Sequence, residues 1–229
     1  MKVNKFLVGM MCSLVILAGC NSMNNTTKGG IIGGAGGAVL GGIIGKVAGN
    51  TAVGAAIGTA VGAGAGILIG KKMDKARQAV AQQVPQAQVE EVKDTNGLKA
   101  VKVTFDSGLL FAKNKADLSS SAKTSLVKFA EVLKENTDMD LAIYGHTDST
   151  GSDAINDPLS LRRAESVSGY LSTCGVSTKQ FKVIEGKGSK LPVASNETVE
   201  GRAQNRRVEV YLYASEEMIK QAEAEANKS

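Results

Sequence analysis

Histidine is almost missing from these 229 residues. His146 stands alone, so no cluster of imidazoles can hold a metal, and no nucleophile is paired with a base around it. Tryptophan is absent and aromatic residues make up only 4% of the chain, a composition rich in small residues that points to a modest core. Charge of either sign is scarce in excess: 27 basic against 22 acidic residues give a formal +5. That balance is too mild for a nucleic-acid protein. Cysteine occurs only at positions 12, 20 and 174, too few for a disulfide framework.

What is present begins with an export signal. Lys2 and Lys5 precede the apolar run "FLVGMMCSLVILAGC", which ends in small residues. Its last four positions, Leu17-Ala18-Gly19-Cys20, resemble the lipobox of bacterial lipoproteins. The resemblance implies cleavage after residue 19, acylation of Cys20 and attachment to a membrane by several acyl chains. The mature chain then has 25 basic and 22 acidic side chains, a net +3. Cys174 is left without an intrachain partner and reads as a structural thiol at a helix end before Gly175. Residues 20–28, ending in the polar "NSMNNTTK", read as a lipidated tether.

Most of the 27 glycines fall between Gly29 and Gly70, a stretch in which Lys46 is the only charged side chain. They recur every fourth residue, at Gly29, Gly33, Gly37, Gly41, Gly45 and Gly49, and again from Gly54 to Gly70. A period of four places them on one helix face, where two backbones can approach closely. Glycine costs a helix nearly 1 kcal/mol per residue in water, but a bilayer forces backbone hydrogen bonds to close internally. Asn50-Thr51 divides the stretch into two arms of about twenty residues, each long enough to cross roughly 30 Å of hydrocarbon. Residues 29–70 are therefore expected to form a helical hairpin at the membrane, and they resemble the glycine-zipper segments of envelope lipoproteins. A flexible spacer is the alternative, although spacers favour Ser and Asn over the Ile-rich runs seen here. Spacing does not decide whether the hairpin packs on itself, forms a homo-oligomer or makes a pore.

Residues 71–97 turn polar and read as a linker, with a short helix running to Pro85 and a turn at Asn96-Gly97. From Leu98 the pattern is that of a folded domain. "AVKVTF" alternates as a half-buried strand, and Leu118, Ala122, Leu126, Phe129 and Leu133 mark an amphipathic helix. "DLAIYG" is a second strand. Asp157-Pro158 supplies a helix start, and that helix ends near Gly175. "FKVIEG" and "RRVEVYLY" complete a β-α-β-α-β-β order, which predicts an α+β domain with a mixed sheet covered by helices on one face. Residues 215–229 read as a polar, helical or frayed tail.

"GHTDSTGSDAINDPLSLRRAESV" leaves the second strand and enters the second helix, so Asp148 lies past a strand end and Arg163 in the early turns of a helix. An acid and a guanidinium held by separate elements suit a zwitterion, whose ammonium meets the carboxylate while its carboxylate takes the guanidinium fork. The same stretch, with "VTFDSG" at 103–108 and "NETVEGRAQNRRVEV" at 196–210, resembles the OmpA-like peptidoglycan-binding domain over residues 98–214. That resemblance implies a ligand, the meso-diaminopimelate group of the peptidoglycan stem peptide, gripped by Asp148 and Arg163. It further implies supporting contacts from Asp106, Thr147, Asn156, Leu161 and one arginine of the pair Arg206/Arg207, here assigned to Arg207.

No paired nucleophile and base is visible, and Asp148 beside an arginine should remain ionised, so an enzyme is not expected. No cofactor or metal is expected either. The combined reading is a lipid-anchored protein of the outer membrane whose domain faces the periplasm and tethers that membrane to the wall. The competing reading makes the glycine zipper an oligomeric, pore-like element that the wall domain merely positions.

Overall fold

In the structure, a computed structural model, residues 61–228 are described apart from Thr95 and Lys113. The signal segment, Cys20 with its tether, and the glycine-rich stretch through residue 60 lie outside the described residues.

The first described element is helix α1 (Ala63–Gln83), which runs without a break across the Gly70-Lys71 boundary. Its side chains at 65, 69, 73, 76 and 80 recur at steps of three and four and are buried in the core. Strand β1 (Gln88–Lys93) follows and pairs antiparallel with β2 (Lys99–Asp106), with Gly97 at φ 74° in the turn between them. Thus the domain begins upstream of Leu98, in residues whose charge suggested a linker. The boundary was obscured because the apolar stripe of α1 crosses a change in polarity. Strand β1, for its part, has only Val89 and Val92, which do not alternate.

A short helix α2 (Ser107–Leu110) and helix α3 (Ser120–Glu135, capped by Ser119) lead to β3 (Met139–Gly145). Helix α4 (Asp153–Thr173) then crosses over to β4 (Phe181–Gly186), which lies parallel to β3. This helix begins at Asp153, five residues ahead of the start expected at Pro158 with Asp157 as its cap. Pro158 sits inside it, forgoing one hydrogen bond to the turn before. Its far end matches expectation, with Gly175 at φ 92° just beyond Cys174. Helix α5 (Val199–Asn205), strand β5 (Arg207–Ala214) and helix α6 (Glu216–Ala226) complete the chain, α6 occupying the expected tail.

The five strands form one mixed sheet in the order β1-β2-β5-β3-β4, antiparallel except for β3-β4. The α+β class is as expected, with a fifth strand added. Alternation along the strands separates the faces: Val103, Phe105, Ile143, Val208 and Val210 join the helices in the core. Ala100, Ala142, Tyr144 and Tyr211 form a separate cluster on the other face, with no described helix among its members. Two glycines let α4 lie unusually close to the sheet. A Cβ at Gly145 would run into the carbonyl oxygen of Ser160, and one at Gly186 into its hydroxyl. That close approach sets the distance between the end of β3 and the second turn of α4.

Candidate functional site

Strands β2 and β3 finish and β5 starts at one end of the sheet, where Asp106 is opposite Arg207 and the His146 N–H donates to the Arg207 carbonyl. The loop after β3 carries Thr147 and Asp148. Asp148 is only 7% exposed, yet its carboxylate is well satisfied. Oδ1 accepts the Thr150 N–H at 2.8 Å, a local turn bond, and Oδ2 accepts Arg206 Nη1 at 2.6 Å. Burial pushes its pKa upward, but the hydrogen bonds from Arg206 and Thr150 outweigh that and hold it below the ordinary aspartate value.

Arg163 projects from α4 and is 3% exposed. Its Nε donates to the Lys115 carbonyl at 3.1 Å, and its guanidinium lies over the Phe111 ring, 5.3 Å from the centroid. Nη1 is buried with no hydrogen-bond partner. Burial, reinforced by the positive charge of Arg206 and opposed by Asp148, lowers the arginine's pKa, a sign that its charge is under-compensated where it lies.

Around this pair the expected residues divide. Thr147 is buried, donates its N–H to the Gly188 carbonyl and leaves its Oγ1 without a partner. Asn156 is buried on α4 and donates Nδ2 to the Thr150 carbonyl at 3.2 Å, which braces the loop holding Asp148. Asp106 is exposed and caps α2 by accepting the Gly108 N–H at 2.6 Å. Leu161 is 38% exposed on α4.

Arg207 is not brought to Asp148. It is buried beside Glu209 on the helix-free face, and Arg206 takes the place beside the carboxylate. Strand parity carries the signal: in "RRVEVYLY", Arg206 shares its parity with the core-facing Val208 and Val210, whereas Arg207 shares its parity with Glu209 and Tyr211. Also unforeseen were Phe111 beneath Arg163 and two asparagines that knit the loop before α5. Asn205 accepts the Val193 and Ala194 N–H groups, and Asn196 accepts the N–H of Ser149, next to Asp148.

Two guanidiniums and one carboxylate, partly withdrawn from water, leave one positive charge uncompensated and an N–H unused. Such a site favours a ligand that brings its own carboxylate. Asp148 retains acceptor capacity beyond its two present bonds, so a cationic group on the same ligand can be received beside it. Among the described residues no group of His, Cys, Asp and Glu is placed to hold a metal ion.

The profile of the OmpA family matches residues 110–206, and that of the YMGG-like Gly-zipper matches residues 1–74. "Probable lipoprotein YiaD" of Escherichia coli (strain K12) is 43% identical over 110 residues, 48% of this chain and 47% of its own length. YfiB of the same strain is 36% identical over 108 residues, 47% of this chain and 68% of that protein. The chain thus spans about half to two thirds of the length of these relatives. Among solved structures, the cell wall anchor of the T6SS from Pseudomonas aeruginosa matches with a TM-score of 0.50 and 26% identity, covering 64% of this chain and 97% of the other.

Proposed function

The chain belongs to the OmpA family, and on that premise we propose that it is a lipid-anchored envelope protein that binds peptidoglycan without a covalent bond and tethers the outer membrane to the wall. In this reading Arg163 and Arg206 receive the carboxylate at the free end of a diaminopimelate side chain, and Asp148 receives the ammonium on the same carbon. Thr147 supplies a free hydroxyl beside them, Asn156 braces the loop, and Asp106 and Leu161 border the approach. The observation that carries the reading is the buried Nη1 of Arg163, which lacks a partner in a site already holding a carboxylate. An unsatisfied, desolvated guanidinium N–H is costly, and a ligand carboxylate removes that cost.

Cys20 carries the lipid, and the glycine-rich residues upstream of 61 lie at the membrane, with the wall domain in the periplasm. The match of the Gly-zipper profile to residues 1–74 supports that arrangement. It also supports the second reading, in which the zipper oligomerises as a pore-like element. Ion leakage from vesicles that survives deletion of residues 61–229 would favour that second reading.

The ligand assignment is tested by calorimetric titration of the full chain in detergent with a soluble stem peptide ending in meso-diaminopimelate, and with the same peptide ending in lysine. Saturable heat with the first alone, abolished by Arg163→Ala, is the expected result. Equal heats with both peptides would remove the assignment.

A further inference from the structure

Behind the site, on the helix-free face of the sheet, lies a buried ionic cluster that the ligand reading does not use. Glu209 is buried and accepts three approaches. Arg207 Nε donates to Oε1 at 2.7 Å, the Tyr211 hydroxyl donates to Oε2 at 2.7 Å, and His146 Nε2 lies 3.5 Å from Oε2. Both ring nitrogens of His146 lack a hydrogen-bond partner, and burial pushes its pKa below the usual histidine value. The compensating charge for Glu209 is therefore Arg207.

Buried ion pairs rarely stabilise a fold better than apolar residues of the same volume, so the geometry they impose is the more informative property. Here the outer nitrogens of Arg207 are both committed to the chain that carries Arg206. Nη1 donates to the Asn205 carbonyl at 3.1 Å and Nη2 to the Leu191 carbonyl at 3.2 Å. Ser107 N–H takes the Arg206 carbonyl, and His146 N–H takes the Arg207 carbonyl. Three consecutive carbonyls, of Asn205, Arg206 and Arg207, are thus each held by a donor. A second route leads to the loop that holds Asp148: the segment entered at Leu191 is tied through Asn205 to Asn196, which accepts the N–H of Ser149.

We propose that Glu209 is a positioning residue for the site: it orients Arg207, which clamps the backbone on both sides of the 191–205 segment and so sets Arg206 against Asp148. The proposal rests on reading Asp148 and its arginines as the binding site, but its geometric content is measurable without any ligand. Asp148 titrates according to whether Arg206 is in place, so its carboxyl resonance reports the effect of a change made on the opposite face of the sheet.

The test uses the full chain in detergent micelles with carbon-13 at the aspartate carboxyls, Asp148 being identified by its loss in Asp148→Asn. In Glu209→Gln and in Arg207→Lys the Asp148 midpoint should move upward, in the direction produced by Arg206→Ala. Adding Glu209→Gln to Arg206→Ala should move it no further. Both variants are measured, and whichever retains the native spectrum decides. A native-like variant in which Asp148 titrates as in the parent overturns the proposal, as does a further shift in the double variant. A structural role alone lowers stability but leaves that midpoint in place. Sedimentation with purified diaminopimelate-type sacculi separates the two layers: severalfold weaker binding by Glu209→Gln supports both, whereas a moved midpoint with unchanged sedimentation keeps the positioning and removes the ligand reading.

Discussion

Asp148 stays ionised although it is nearly buried, because Arg206 and the Thr150 N–H more than offset its desolvation. Its folded-state pKa lies below the unfolded value of 3.8, so the stability it contributes is present above that value and disappears as pH falls through the folded one. Ligand binding should accordingly be flat across neutral pH and fail only in strong acid. A midpoint for binding near neutrality in a pH titration would contradict this. Asp140 has the opposite sign. Burial raises its carboxyl from 3.8 to about 6, against the pull of Lys182 at 3.6 Å and with help from Glu216. The folded state binds that proton more tightly, so its contribution is complete below 3.8 and is lost as pH rises through about 6. Asp140→Asn should therefore raise Tm at neutral pH and leave it nearly unchanged at about pH 4, as measured by thermal melts at the two values. An equal shift at both would refute the assignment. Asp148 and Arg163 were legible in the sequence, since motif and charge logic both pointed to them. Arg206 was legible too, but only through strand parity, which motif matching does not consult.

Among the elements, α1 departs most from what its composition suggested. The polarity change at Lys71 divides it in the sequence, while its stripe of Ala65, Ile69, Met73, Ala76 and Val80 does not pause there. The Gly-zipper profile likewise continues to residue 74, so the last turns of the glycine-rich pattern serve the core of the folded domain. Met73→Ala should destabilise the domain by about 2–5 kcal/mol, because the side chain is fully buried. Denaturant unfolding measures this, and a loss below about 0.5 kcal/mol would place α1 outside the cooperative unit. The contact of α4 with the sheet makes a separate prediction. Gly145→Ala forces a Cβ against the Ser160 carbonyl, pushing α4 and Arg163 away from the end of β3. Binding should weaken together with stability. Strand β1 was hidden because its pairing rests on backbone bonds and on flanking ion pairs such as Lys102–Glu90, neither of which leaves an alternating pattern.

For the whole molecule, the folded domain is larger than the segment that resembles its family. A fragment beginning at Leu98 loses β1 and α1, and with them Ile69, Met73, Val80 and Val84 from the core. It should show no cooperative melt, whereas a fragment of residues 61–229 should unfold in one transition by circular dichroism. Cooperative unfolding of the shorter fragment would mean that α1 is an accessory. The succession of strands and helices from Leu98 onward, and one mixed sheet with helices on one face, followed from periodicity in the sequence. The amino-terminal limit did not, because charge pattern and burial disagree there.

Sedimentation of the full chain in detergent with purified sacculi decides whether the Asp148/Arg163 site holds the wall. Diaminopimelate-type and lysine-type sacculi are compared, with the parent chain beside Asp148→Ala and Arg163→Ala, each substitution expected to cost on the order of 2–5 kcal/mol of binding. The parent is expected to pellet with diaminopimelate-type wall alone, with both variants left in the supernatant. Pelleting with both walls, or pelleting unaffected by the substitutions, would contradict it.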